Sequence, residues 1–440
     1  MDPYLLVRAA SLHIAIAATA AVWVWRRPNA RAFSGALLAF FWNIPALLIV
    51  NSAAARLGWW HFDARGGLLL GTPVDLLLAW AWLWGALPAL ACPSLPLAVV
   101  VAAGLAADLV LMPAAAPVVQ LEPLWLAGEA VALLVALLPA QLIARWTLGD
   151  EHLAGRVALQ VVAFSGLVLF VLPAIAIDGS GSAWIDPLTR PAWQIGLLAQ
   201  LLAVPAVIGL TAVQEFVTRG GGTPVPFDPP RRLVTTGVYA YVRNPMQLSA
   251  VLLLMVLALV LWNPWVAVAG IMAHVYSAGL AGWDEDEDVR GRFGDTWTAY
   301  RRGVRRWLPR LRPWQPPDQP ASRLFVSEHC QMCRDVARWF NRRGARQLAI
   351  VPAETHPSRA LTRITYEPAD GSHSASGIEA IARALEHIHL GWAFVGFFFR
   401  LPGVRALTQL LADASGAEPR RISQAIEACE AESGSRAGSR

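Results

Sequence analysis

Residues 237–309 read G-V-Y-A-Y-V-R-N-P-M-Q, then two apolar runs hinged at Asn263-Pro264, then E-D-E-D-V, F-G-D-T-W-T-A-Y and V-R-R-W-L-P. A polar loop bearing Arg243 feeds an apolar hairpin, whose far end returns an acidic cluster to the side it left. That layout places Arg243 and Glu285 at one membrane face, although some forty residues separate them. A fixed cation and fixed carboxylates beside lipid suit a charged small molecule meeting a greasy one.

The surrounding chain is built for lipid. Of its 440 residues 56% are hydrophobic and 15% charged, against about 25% charged in soluble domains. All 36 basic residues are arginine and the net charge is +5. The arginines sit in short loops between apolar runs, which reads as membrane topology rather than a nucleic-acid surface. Runs of about 17–23 apolar residues, the length a bilayer core of roughly 30 Å requires, recur near 5–24, 34–54, 74–91, 96–114, 123–144, 157–177, 194–213, 246–262 and 264–281. Arg26, Arg27, Arg31, Arg145, Arg156, Arg219, Arg231, Arg232 and Arg243 follow odd-numbered runs, whereas Glu122, Asp178 and Asp186 mark alternate loops. Nine spans then put the amino terminus outside and the carboxyl terminus in the cytoplasm, across an inner (cell) membrane. The run from Leu5 ends in Arg26-Arg27 and reads as a retained helix, not a cleaved leader.

Residues 214–245 read as a Gly/Pro-rich loop, G-G-G-T-P-V-P-F-D-P-P-R-R, whose prolines oppose a helix. After residue 312 the composition turns soluble. We expect a multi-helix membrane domain at 1–193, a membrane core at 194–312, a Pro-rich linker at 313–322, an α/β domain at 323–425 and a disordered tail at 426–440. Four cysteines are too few for a disulfide scaffold, and Cys92 and Cys429 stand apart from Cys330 and Cys333. In the first domain, Asp75, Asp108 and Glu129 lie in or beside spans, where acids are expensive and are functional candidates by default, or merely interfacial. Trp59-Trp60-His61-Phe62 reads as an interfacial aromatic belt.

At G-V-Y-A-Y-V-R-N-P-M the sequence resembles the isoprenylcysteine carboxyl methyltransferase and phospholipid methyltransferase group. That pattern is G-P-Y-x-Y-x-R-H-P-x-Y, an apolar hairpin, E-E, and F-G-x-x-Y-x-x-Y. Here Glu285-Asp286 fill the E-E place, Phe293-Gly294 the F-G place, and Trp297 and Tyr300 the aromatic places. Asn244 replaces His, Gln247 the second aromatic, Val238 the Pro and Asp286 a Glu. The resemblance implies S-adenosylmethionine as cofactor and a lipophilic acceptor reached from the bilayer. By it Gly237, Tyr239, Arg243, Asn244, Pro245 and Met246 shape the cofactor pocket, joined by Glu285, Asp286 and Tyr300. Such transfer needs positioning more than covalent help, and Glu285 is the candidate base if the nucleophile bears a proton. Taken singly, Arg243 could be a positive-inside anchor and the acidic run a solvated cap.

L-F-V-S-E-H-C-Q-M-C-R-D-V-A-R-W-F, from Leu324, is a strand followed by a CxxC opening a helix. The helix N-terminus, with Arg334 and Arg338, should lower a thiol pKa, making Cys330 the attacking and Cys333 the resolving thiol. Together with D-G-S-H-S-A-S-G-I-E and F-F-R-L-P-G, the segment resembles the DCC-type, thioredoxin-like thiol-disulfide oxidoreductases, although Ser327-Glu328-His329 replaces that family's D-G-x lead-in. The resemblance implies a thiol-reducing partner. A metal half-site with His329 or His356, or a purely structural module, are the other readings. No metal is expected, since a zinc site needs about four ligands.

The fold expected is therefore an all-α polytopic membrane protein of about nine transmembrane helices, with a C-terminal α/β thioredoxin-like cytoplasmic domain. Methylation of a lipophilic acceptor is the favoured activity. A membrane thiol-disulfide redox or ligand-binding protein with a degenerate methyltransferase core is the alternative.

Overall fold

The computed structural model describes residues 3–181, 189–223, 230–278, 280–316, 319–420 and 422, with only the backbone described for 280–286. Asp186, Cys429 and the expected disordered tail from 426 lie outside the described residues. Among the described residues, seven helices of 18 to 29 residues are long and apolar enough to cross a membrane. They are α1 (Pro3–Arg26), α2 (Ala30–Leu57), α3 (Val74–Ala91), α4 (Leu97–Ala114), α5 (Trp125–Gly149), α6 (Leu153–Gly179) and α7 (Ala192–Gly220).

The two further spans of the expected nine are present as shorter helices, α8 (Pro245–Leu261) and α9 (Pro264–Ala278). At 17 residues and 1.5 Å per residue α8 reaches about 26 Å, short of a roughly 30 Å hydrocarbon core, and α9 is described as far as Ala278. Their elbow follows local chemistry. Trp262 takes a left-handed φ of 53°, and the Asn263 carbonyl Oδ1 accepts from the N–H of Trp265 at 2.9 Å and of Val266 at 3.4 Å. Asn263 thus caps a helix whose first residue is a proline that has no N–H to satisfy.

The chain divides into two compact units. The first comprises Met1–Ile195, Gly222–Pro229 and Leu253–Met272. Its core is aliphatic and aromatic, with Leu48, Trp60, Trp84, Val118 and Leu137 buried. A π-turn at Trp82–Ala86 loosens the backbone ladder of α3. Gln141 from α5 donates to the freed carbonyls of Trp84 at 2.6 Å and Gly85 at 3.0 Å, as a polar group buried in this setting must. The stretch read as an aromatic belt forms β1 (Trp60–Phe62), antiparallel to β4 (Val119–Leu121), while β2 (Leu68–Leu69) pairs with β3 (Thr72–Pro73). The indole N–H of Trp60 reaches Asn51 Oδ1 at 3.1 Å. A burial-driven strand pair therefore takes residues that composition alone assigns to the interface.

The second unit comprises Gly196–Gly221, Pro230–Leu252 and Ala273–Arg440. Here α7 runs on to Gly220, so the loop expected from 214 starts later. Residues 214–219 contain no glycine or proline, and the glycines begin only at Gly220. After α10 (Leu280–Gly303) come β5 (Ser322–Val326), α11 (Gln331–Arg343), β6 (Leu348–Pro352), β7 (Thr365–Glu367) and β8 (Ala375–Ser376). The sheet order is β6-β5-β7-β8, with β5 parallel to β6 and the other pairs antiparallel. α12 (Ile378–Leu385), α13 (Leu390–Arg400) and α14 (Pro402–Ala412) follow. Leu324, Val326, Phe340, Tyr366, Ala380 and Leu385 form the core of this sheet and its helices.

The Pro-rich stretch expected as a spacer at 313–322, and the residues just before it, are hydrogen-bonded at several points. Arg310 N–H donates to Tyr241 O at 2.9 Å, Trp314 N–H to Ala240 O at 2.8 Å, and Leu390 N–H to Leu311 O at 2.9 Å. Prolines prevent helix here, and the remaining N–H groups find strand-like partners instead.

Candidate functional site

The G-V-Y-A motif forms a single tight turn, Gly237–Ala240, entered from an extended Thr236. Gly237 has φ +60°, and a Cβ placed there would stand 2.7 Å from the carboxyl carbon of Glu215. Both backbone and space therefore demand glycine. Glu215, on the last turns of α7, is fully buried and lies directly against the turn. Its Oε2 accepts from Thr236 Oγ1 at 2.9 Å, and its Oε1 from the guanidinium groups of Arg383 and Arg400.

Arg400 also donates to Glu386 Oε1 at 2.6 Å, and Arg383 lies 3.6 Å from Glu386 Oε2. Two guanidinium groups thus neutralise two carboxylates out of water, the arrangement in which removing one partner strands a buried charge. Burial opposes the charge on Arg383, but Glu215 and Glu386 outweigh it and drive its pKa up. The sequence analysis missed this network. No local pattern marks it, because Arg383 is 168 residues from Glu215.

The second half of the motif meets the first. Tyr300, fully buried, donates to Tyr239 O at 2.8 Å, and Tyr241, also buried, donates to Glu386 O at 2.9 Å. Burial pushes both phenols well above the usual tyrosine range, so they act as neutral donors. Arg243 N–H and Asn244 N–H donate to Arg305 O at 3.0 Å and Arg306 O at 3.3 Å. The half-buried Arg243 guanidinium lies 5.2 Å over the Trp297 ring and 3.5 Å from Arg301 O. Trp297 is buried, and its indole N–H has no partner among the described residues. Asn244 accepts from Leu248 N–H at 3.0 Å, Pro245 opens α8, and Met246 packs against the core behind the turn.

The F-G glycine, Gly294, sits at φ 51°, ψ −124° and breaks the helix run, which brings Trp297 and Tyr300 round to the turn. Glu285 and Asp286 lie on the backbone of α10, but their side chains are outside the described residues. Gly237, Tyr239, Arg243, Asn244, Pro245, Met246 and Tyr300 are thus brought together around one turn. A cavity beside it, bordered by Thr236, Gly237, Trp314, Tyr366, Arg383 and His387, measures about 60 Å³. That holds a few waters, not a nucleoside. Burial lowers the His387 pKa, so its ring is neutral, bonded to Tyr366 Oη at 2.9 Å.

Cys330 occupies the cap position of α11, with Cys333 one turn on, both as free thiols. Hydrogen bonds from the Cys333 thiol and N–H lower the Cys330 pKa, with Arg420 adding to the effect. Burial, and then the neighbouring Cys330, pushes Cys333 up to about 12. The helping cations expected from sequence are engaged elsewhere: Arg334 donates to Glu328 O at 2.6 Å and Arg338 pairs with Asp335. Neighbours three to six residues away capture them first. Glu354 fixes the lead-in by accepting from Ser327 Oγ at 2.7 Å and Glu328 N–H at 3.1 Å. A cleft of about 960 Å³ opens over the dithiol, lined by Met332, Val336, Ile364, Ile378 and Ile381. His356 is bonded to Glu367 at 2.9 Å, which removes it from the metal half-site reading.

In the first unit, Asp75 takes both oxygens to Arg8 Nε at 2.7 and 3.0 Å. Asp108 accepts from the Trp80 indole at 3.0 Å, and Glu129 lies buried beside it.

Residues 197–294 match the family model of phospholipid methyltransferases. That segment runs from α7 to the glycine break in α10 and contains the whole G-V-Y-A-Y-V-R-N-P-M turn. The match supports a membrane methyltransferase with a lipid-like acceptor. No curated protein and no solved structure matches the chain.

Substituting Arg400→Met should strand Glu215 and lower the stability of the purified protein by about 3–5 kcal/mol, read as a fall in thermal midpoint in detergent. Arg405→Met, which breaks only the exposed 2.7 Å pair with Glu379, should change stability by no more than about 1 kcal/mol. Gly237→Ala should destabilise by about 1–3 kcal/mol through strained φ and the clash with Glu215. An unchanged midpoint would show that the turn does not depend on that contact.

Proposed function

We propose that the chain is an integral membrane, S-adenosylmethionine-dependent methyltransferase acting on a lipophilic acceptor, with a thioredoxin-like dithiol domain. The observation that carries it is the meeting of the two motif halves: Arg243 over Trp297, and Tyr300 bonded to the Tyr239 carbonyl, in a segment matched by the phospholipid methyltransferase model. S-adenosylmethionine would supply the methyl group. Its methionyl carboxylate suits Arg243, a guanidinium that can bind it in a forked geometry, and the unpartnered N–H of Trp297 offers a further donor beside it. Gly237, Tyr239, Asn244, Pro245 and Met246 shape the turn, Tyr300 braces it through the Tyr239 carbonyl, and Asp286 is assigned to the cofactor pocket by the family resemblance alone. Glu285 takes a proton from the acceptor where it has one to lose. Asn244 donates and accepts hydrogen bonds but is no base.

For the second domain, the strand order β6-β5-β7-β8 and a CxxC opening the helix between two parallel strands support the thioredoxin-like reading. Cys330 is the attacking and Cys333 the resolving thiol, served by a thiol-reducing partner. The arginine-rich loops favour a cytoplasmic carboxyl terminus in an inner-membrane protein.

Calorimetry with S-adenosylmethionine on detergent-purified protein tests the first assignment. Arg243→Ala should weaken binding by about 10–100-fold, the worth of a charged hydrogen bond. Cys330→Ser/Cys333→Ser should bind as the parent does. Unchanged binding in both Arg243→Ala and Glu285→Ala would remove those residues from the site.

The dithiol assignment predicts that Cys330 alkylates with iodoacetamide at least about tenfold faster than Cys333 at neutral pH. The sign follows from the shifts: Cys330 is lowered and so is more ionised at neutral pH, while Cys333 near 12 stays protonated. Cys333→Ala should move the Cys330 alkylation midpoint up toward the ordinary thiol value. Equal rates at both cysteines would exclude the assigned roles.

A further inference from the structure

Helix α14 is inside out. Thr408 and Gln409 face its own domain, where Gln409 Oε1 accepts from Ile378 N–H at 2.9 Å and its Nε2 donates to Asp413 at 2.8 Å. Leu407, Leu410 and Leu411 point away, at 58%, 68% and 59% exposure. Spacings of three and four residues set them in one stripe, with Gly403 and Ala406 exposed on the same side. Phe398, late in α13, adds to the apolar surface at 43% exposure. An apolar face of this kind calls for an occupant.

The geometry of the same unit says which. Thr211 Oγ1 donates to Phe397 O at 3.5 Å and Gln214 Nε2 to Arg400 O at 3.2 Å. The paired residues advance together along both helices, so α13 runs beside the last turns of α7 in the same sense. α7 is apolar enough to span, and it ends at Gly220, six residues beyond Gln214. Arg400, Gln214's partner, stands two residues before α14 begins. There the chain turns by 90°. A helix that starts at the edge of a span and leaves at a right angle to it lies along the bilayer surface.

We propose that α14 is an interfacial helix, with Leu407, Leu410 and Leu411 buried at the boundary of headgroups and acyl chains. Its polar side is already satisfied by its own domain, and among the described residues nothing covers the leucines, which leaves them to the bilayer. The charge does not interfere: Arg405 lies on the opposite side of the helix from the leucines, where it pairs with Glu379 at 2.7 Å. One consequence concerns the dithiol. Gln409 and Ala412, on the inward face of α14, line the cleft over Cys330 and Cys333, so that cleft opens next to lipid.

The test uses the full chain with Cys92, Cys330, Cys333 and Cys429 changed to Ser. Bimane is attached singly at Leu407→Cys, Leu410→Cys, Leu411→Cys or, as a control, Arg342→Cys at the exposed end of α11. Each is reconstituted into phosphatidylcholine–phosphatidylglycerol vesicles, with and without brominated acyl chains. The three leucine positions should lose at least about half their fluorescence to brominated lipid, as expected a few ångströms below the headgroups, while Arg342→Cys does not change. Leucine positions no more quenched than the control overturn the proposal. A blue-shifted emission that vanishes on dilution would then assign the face to a second copy. One that vanishes on truncation after Ile422 would assign it to the chain's own residues 423–440.

Discussion

The second unit is organised around one carboxylate. Glu215 sits on the last turns of a long apolar helix without access to water, and everything that makes it tolerable comes from elsewhere: a hydroxyl from Thr236 and guanidinium groups from Arg383 and Arg400. Because Thr236 and Gly237 lie against it, the same charge that demands partners also sets the entry to the G-V-Y-A-Y turn. The carboxylate thus ties the methyltransferase-matched segment to helices that come nearly two hundred residues later. An ion-pair cluster of this kind adds little net stability compared with a well-packed apolar core. What it adds is specificity, since few alternative packings leave all four charges paired.

This arrangement changes how the two motif-bearing segments of the chain relate. A tethered redox domain would be free to move while the membrane core worked. Here Tyr241, from the middle of the motif, donates to a carbonyl of Glu386, and residues 310–314 are stitched to the backbone on either side. The dithiol and the G-V-Y-A-Y turn belong to one compact unit. Their surroundings differ sharply in scale, with a water-sized cavity beside the turn and a cleft of ligand dimensions over the CxxC.

Much of this was legible in the sequence where the governing physics is local. The elbow at Asn263-Pro264 follows from cap chemistry within four residues, and the CxxC helix start from a strand-to-helix switch. The spacing from Gly237 to Tyr300 announced the meeting that Tyr239 and Tyr300 make. The sequence was silent where partners are distant. Arg400 stands in the F-F-R-L-P-G stretch, which hints at burial but not at Glu215 as its partner, whereas Arg405 five residues on is exposed. Arg334 and Arg338 look equally available to Cys330, but acceptors three to six residues away claim them. Apolar content identified α8 and α9, and the Asn263 cap sets where α9 starts. The leucine stripe of α14 could have been read at its spacing of three and four residues. Only coordinates reveal that it faces outward.

The distance along the chain between Glu215 and its partners also has a temporal side. Ribosomes add roughly 5–20 residues per second, so the 168 residues separating Glu215 from Arg383 take on the order of ten to thirty seconds to make. Through that interval α7 can enter the bilayer, but the guanidinium groups that will compensate its acid do not yet exist. The nascent helix must wait with that end hydrated at the surface, and its final depth is settled only when the carboxyl-terminal helices arrive to close over it.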